Sequence, residues 1–209
     1  MKSNIITLDG HAAAGKGETA KVLSSMLNLP VLDSGRIFRA VAYIWEDDKT
    51  QFERISFDGK NLLIDGSIAT NEILRTPEIS SLTPKIAAIP EVRQRMLPIV
   101  RAYATEKGLI ADGRDMGSIV FPDAPLKMFL TARAVTRARR EMSDPTRGRA
   151  GVALSEVLAG VLYRDHLDET RKDAPLVRAP DAILLDTSEL TIQEVADTIV
   201  QLWSFKQKI

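Results

Sequence analysis

The sequence predicts an α/β fold, a parallel sheet with helices on both faces, and three features lead there. Five short apolar runs alternate with helical segments along the 209 residues, the pattern of parallel strands joined by helical crossovers. The first run leads straight into a glycine-bounded loop ending in lysine, with the G-x-x-x-x-G-K spacing of a phosphate cradle. Several runs close on an acid, at the carboxyl ends of strands where ligands of such folds lie.

The first strand is expected from Ile5 to Asp9. Gly10 and Gly15 allow the tight turn that points successive N–H groups inward, the next helix adds its positive dipole end, and Lys16 adds a full charge. The candidate donor-phosphate residues are therefore Gly10, His11, Ala12, Ala13, Ala14, Gly15, Lys16, Gly17, Glu18 and Thr19. The motif wants a hydroxyl directly after the lysine, yet Gly17 and Glu18 come before Thr19. The helix from Lys16 to Asn28 gathers Ala20, Val22, Leu23, Met26 and Leu27 on one side. Leu29 to Leu32 reads as the second strand, ending at Asp33. Ser34 is expected to cap the helix that carries Ile37, Phe38, Val41, Ala42 and Ile44. Arg36 and Arg39 sit one turn apart on it, and Arg39 can face the sheet's carboxyl edge.

From Phe52 to Ser67 the alternation breaks. Asp58 and Gly59 read as a hairpin turn between apolar runs, and Asp65 and Gly66 lead into a helical segment, which together suggest an inserted subdomain. Pro98 is expected to kink or break the helix that follows Pro90. The third strand, Leu109 to Ala111, ends in Asp112, with Arg114 and Asp115 close behind. An acid ending a buried strand beside a phosphate loop is placed to hold nucleotide-bound Mg²⁺, directly or through water. Simple helix capping suits Asp115 better than Asp112.

Leu126 to Leu130 is the fourth strand, followed by a helix with Arg137 and Arg140 one turn apart. Ser143 to Gly151, with Pro145, Arg147, Gly148 and Arg149, reads as a basic flap. Tyr163 to Arg171 puts Arg164, Asp168 and Arg171 on one helical face, a spacing that ordinary surface ion pairs also produce. The last strand, Ile183 to Leu185, closes with Asp186, and a helix from Thr191 to about Phe205 completes the chain.

Lysine plus arginine and aspartate plus glutamate both number 28, which argues against a surface that is basic throughout, as nucleic-acid and membrane binders have. Cysteine is absent, excluding disulfides and thiolate metal sites. No signal-peptide pattern or membrane-length apolar run is seen, so a cytoplasmic monomer without nucleic-acid or membrane partners is expected. The arginines near strand ends and flap exceed what one triphosphate needs, and two phosphorylated ligands account for them.

The block A-D-G-R-D-M-G-S-I-V-F-P-D-A-P-L-K-M-F-L from Ala111 to Leu130, with L-D-S-G-R-I-F-R and R-D-x-x-D-x-x-R-x-x-A-P-L, resembles the bacterial cytidylate kinases. The likeness runs through nearly the whole chain in the same order, including I-L-R-T-P-E, A-A-I-P-E-V-R and L-L-D-T-S. It implies a P-loop nucleoside monophosphate kinase fold with a five-stranded parallel sheet. Its parts would be a core (about 1–49, 107–142 and 156–209), a monophosphate-binding insert (about 50–106) and a lid (about 143–155).

The implied reaction passes the γ-phosphoryl group of ATP, with Mg²⁺, to CMP or dCMP. By the same resemblance Ser34, Asp115, Arg93 and Arg171 read the cytosine, Arg39 and Arg114 hold the acceptor phosphate, and Arg164 and Asp168 reach the sugar. Lys16, Arg137 and Arg140 neutralise the transferring group, and Asp112, with Asp33, orients the waters of Mg²⁺. Four positions depart from the family. Glu18 stands for a threonine at a donor phosphate, Pro84 for a serine near the sugar, Phe38 for a tyrosine, and Arg36 for a small residue. A carboxylate about 4 Å from a phosphate charge costs on the order of 4 kcal/mol at an effective dielectric near 20. Glu18 must therefore swing out, act through the metal, or weaken ATP. That keeps two alternatives open: a kinase of another pyrimidine monophosphate, and a nucleotide-binding protein without turnover.

Overall fold

The computed structural model describes residues 4–46, 49–58, 61–104, 108–144 and 151–207. Its main sheet has five parallel strands, β1 (Ile5–Gly10), β2 (Val31–Asp33), β6 (Leu109–Asp112), β7 (Leu126–Thr131) and β8 (Ile183–Asp186), in the order β2-β6-β1-β7-β8. The central strands are covered on both faces, so they are apolar at successive positions, and Ile6, Leu8, Ile110, Leu126, Met128 and Leu130 are all buried. β8 lies at an edge, and its burial alternates, leaving Leu184 exposed.

On one face α1 (Lys16–Leu27) and α8 (Ile192–Gln207) pack together through Leu23, Val195, Ile199 and Trp203. On the other, α2 (Ser34–Tyr43), α4 (Pro77–Ala87) and α5 (Pro90–Ala102) bury Ile37, Val41, Ile86 and Met96. The period of two in β6 serves both layers, with Ile110 in the first core and Leu109 and Ala111 in the second. Trp45, just past α2, is half-buried against this second core, which also takes in Ile55 and Leu62 of the insert. α6 (Ala134–Ser143) and α7 (Leu154–Thr170) pair around Ala138, Val157 and Val161.

Local chemistry sets the element ends. Thr191 and Glu194 form a reciprocal capping box at the start of α8, with the Thr191 N–H donating to Glu194 at 2.8 Å and the Glu194 N–H to Thr191 at 3.2 Å. Thr76 caps α4, accepting from the Ile79 N–H at 3.3 Å, and Pro77 fills the first helical position.

Several expectations need correction. Met26 turns outward, away from the face that buries Ala20 and Leu23. β2 starts at Val31, not Leu29, because Pro30 has no N–H to give the ladder. Ser34 does not cap α2. Asp33 does, accepting from the Arg36 N–H at 2.9 Å, while Ser34 is the first helical residue and donates to the Asp112 carbonyl at 2.8 Å. The insert contains three antiparallel strands, β3 (Ile55–Phe57), β4 (Leu62–Ile64) and β5 (Ser67–Ile68), followed by α3 (Asn71–Leu74). Asp65 and Gly66, both left-handed, make a second hairpin turn rather than leading straight into a helix. α5 runs on through Pro98, since Pro98 and Gln94 lie on the exposed side, where solvent can serve the freed carbonyl. Gly59 of the first turn, and Pro145, Arg147, Gly148 and Arg149 of the expected flap, lie outside the described residues.

Candidate active site

At Gly10 the chain leaves β1 with φ 138°, and a Cβ there would lie 1.9 Å from the Leu130 carbonyl oxygen. Only glycine can make that exit. Gly15, at φ 93°, hands the loop to α1, whose N-terminus faces the cradle. Within the loop Ala12 and Ala14 are buried, and Ala13 is left-handed and half-buried. The Lys16 ammonium donates back to the Gly10 and His11 carbonyls at 2.9 and 2.8 Å. Burial and the charge of Arg114 push its pKa down to about 7, against the pull of Asp112, Asp168 and Asp9. Thr19 is fully buried beneath the loop.

Glu18 faces outward. It accepts from Lys21 at 2.7 Å, and the side chains are 65% and 70% exposed respectively. Gly17 lies on the inner side, where a Cβ would come 3.3 Å from Asp112 Oδ2. Asp112 and Asp33 are register partners at the ends of β6 and β2. Burial and the nearby Asp33 push the Asp112 carboxyl up to about 6, while Lys16 pulls it back. Two hard carboxylates beside a phosphate loop fit a hydrated divalent cation. Among the described residues no cluster of three or more possible ligands exists, so phosphate oxygens and water would complete its shell.

Across the sheet end, Asp115 is 2% exposed and lies between two arginines from different elements. Arg93 of α5 bonds it directly, and Arg171, just past α7, comes within 4.0 Å. Burial pushes the Asp115 carboxyl up, and Arg93 and Arg171 hold it down. Arg93 also stacks over Phe38, 5.4 Å from the ring centroid. Arg114 donates to Asp168 at 2.7 Å, and Arg171 approaches the same carboxylate at 3.8 Å. One Arg171 Nη is buried without a hydrogen-bond partner. Arg39 reaches Asp33 at 3.1 Å, and Ser34 borders Gly113. Ser34, Arg39, Arg93, Arg114, Asp115, Asp168 and Arg171 thus line one end of the sheet.

Other expected residues are placed differently. Arg164 and Asp168 lie one turn apart on α7 as expected, but they hold different partners and Arg171 is not on the helix. Arg164 pairs with the buried Glu141 of α6, and Arg171 lies past the helix end in extended backbone. Arg137 is buried, bonded to the Ala132 and Ala12 carbonyls and to Asp165 at 2.6 Å. Arg140 donates to Thr187 Oγ1 at 3.0 Å and to the Thr187 carbonyl. Arg36 donates to the Ala69 carbonyl at 2.5 Å and lines a cavity of about 250 Å³ with Gly17, Glu18, Asp33, Asp112 and Arg75.

Sequence reasoning missed the contacts of five residues. Thr187, after β8, donates to Ala14 of the loop at 3.0 Å. Asp165 and Glu141 hold Arg137 and Arg164. His11 is more than a loop residue, since its ring bonds Glu169 at 2.9 Å and Thr131 at 3.2 Å and stacks edge-on to Phe129. Asp9 accepts the N–H groups of Met116 and Gly117. Asp9 had a visible signal, an acid at the end of a buried run, whereas the others sit in unremarkable polar positions.

The fold is that of the P-loop kinases. A shikimate kinase structure from Bacteroides thetaiotaomicron superposes with a TM-score of 0.56 at 17% identity, covering 96% of this chain and 98% of that one. The sequence profile for cytidylate kinase matches residues 6–204. The cytidylate kinase of Colwellia psychrerythraea strain 34H is 38% identical over 213 residues, covering 94% of each chain. That of Desulfitobacterium hafniense strain Y51 is 38% identical over 222 residues, covering 99% of this chain and 95% of the relative. A match of this extent places the chain in the cytidylate kinase family.

Proposed function

We propose that the protein works in the cytoplasm, transferring the γ-phosphoryl group of Mg²⁺-bound ATP to CMP or dCMP to give CDP or dCDP. The observation that carries this is Asp115, a buried carboxylate flanked by Arg93 from one side of the cleft and Arg171 from the other. Cytosine offers an N4 amino donor, which suits a carboxylate, beside O2 and N3 acceptors, which suit arginine. Uracil reverses the first of these, so the same set rejects it by leaving Asp115 facing a carbonyl. Ser34 would join this set. Arg39 and Arg114 would take the acceptor phosphate, and Asp168, already on Arg114, would take a sugar hydroxyl, with Arg164 reaching it only by leaving Glu141.

At the donor end the loop amides and Lys16 would cradle the ATP phosphates, and Arg137 and Arg140 would add charge from the lid side. Asp112 and Asp33 would hold Mg²⁺ through its waters. The ion supplies neutralisation of charge on the β and γ oxygens. Little covalent help is needed, since the barrier falls through in-line positioning of two anions with water excluded. The core, insert and lid would be the parts that bring them together. Glu18 is exposed and paired with Lys21, which supports an active kinase by relieving the repulsion that motivated a non-catalytic alternative. A coupled assay with ATP, Mg²⁺ and CMP, dCMP, UMP, dTMP or AMP tests the reading. Turnover should be fastest with the cytidine nucleotides, and a preference for UMP or AMP would overturn it.

A further inference from the structure

Asp9 ends the strand that launches the phosphate loop, yet its side chain points to the other half of the site. Its two oxygens accept the N–H groups of Met116 and Gly117 at 2.8 and 2.7 Å. These are the first two residues of a π-helical turn, Met116–Val120, whose opening amides have no partner within the turn. The residue in the capping position is Asp115, and its side chain does not cap. It is directed instead to Arg93 and Arg171. Asp9 therefore caps the turn from β1, which relieves Asp115 of capping and leaves its side chain to the arginines and a ligand.

We propose that Asp9 is a positioning residue for recognition of the acceptor base, fixing the turn that aims Asp115. The inference rests on the reading above, in which Asp115 meets cytosine. A two-pronged carboxylate grips consecutive amides and fixes the rotation of the turn as well as its distance from the sheet, which a hydroxyl cap could not do. The fit is close at the same point. Gly117 lies flush on β1, and a Cβ there would come 2.7 Å from Oγ1 of the fully buried Thr7. Burial pushes the Asp9 carboxyl up to about 6 even though both amides pull it down.

The test compares Asp9→Asn and Gly117→Ala with Asp115→Ala and the wild type, measuring kcat and KM for CMP and UMP, KM for ATP, and the urea midpoint. Asparagine keeps one acceptor but turns an NH₂ toward the second amide. Its ratio of kcat/KM for CMP over UMP should fall about tenfold, with KM for ATP within about twofold. Gly117→Ala should do the same from the other side, and it carries the test alone if Asp9→Asn does not fold. A lowered midpoint with discrimination intact, or equal losses toward ATP and CMP, would make Asp9 a structural residue only. Unchanged discrimination in Asp115→Ala would overturn the base-reading role itself, and with it the inference.

Discussion

Glu18 is the residue where template and chain disagree most, and its outward pose decides what replacing it should do. Its pair with Lys21 is an exposed i, i+3 contact, worth at most about 0.5 kcal/mol. Glu18→Thr should therefore change KM for ATP by less than about twofold in steady-state assays, whereas a marked loss of activity would mean the carboxylate turns inward to serve the metal. Lys16 carries a different consequence. Its depressed pKa means that the folded protein binds fewer protons than the unfolded chain between about pH 7 and the usual lysine value, so this group's contribution to stability rises with pH there. Phosphates placed beside the ammonium raise its pKa again. Binding of Mg²⁺-free ATP at pH 8 should then take up protons, seen in calorimetry as a heat that varies with buffer ionisation enthalpy. The phosphate loop was legible because its glycines and lysine are local in sequence. The partners of Arg137 and Arg164 were not, since Asp165 and Glu141 meet them only once α6 and α7 have packed.

At the scale of elements, period and capping chemistry made most helices and strands readable, and the misreadings have physical causes. Pro98 looked like a helix breaker, but its cost falls on an exposed carbonyl, and Val92, Met96 and Val100 hold α5 on the core regardless. Pro98→Ala should restore the bond to Gln94. It should stabilise the protein by about 1–2 kcal/mol in urea unfolding, the regained bond being partly offset by a freer unfolded chain. β5 escaped notice because two residues are too short to show alternation; only the Asp65–Gly66 turn marks it. Arg171 was counted on the face of α7 because spacing alone cannot say where a helix stops. Leaving the helix is what lets Arg171 turn toward Asp115.

Across the whole molecule, contacts between distant segments tie the phosphate loop to the chain that follows β7. Arg137 reaches Ala12, Thr187 reaches Ala14, and His11 reaches Glu169. Arg137 and Asp165 are each nearly buried, so Arg137→Ala strands a carboxylate that already has one oxygen without a partner. Its unfolding free energy should drop by about 3–5 kcal/mol, far more than a solvent-facing arginine would cost. A denaturation midpoint within error of the wild type would mean that Arg137 leaves Asp165 in solution.

The chain has two tryptophans, and the fold gives them separate surroundings. Trp203 of α8 is buried in the core that α1 and α8 share, while Trp45 sits half-buried where α2 meets the insert. The indoles therefore divide the intrinsic fluorescence into a steady background from the first layer and a signal from the second that follows the environment of the insert. With Trp203→Phe in place, emission from Trp45 becomes an optical gauge of the acceptor side, readable in a stopped-flow mixer without attaching a dye.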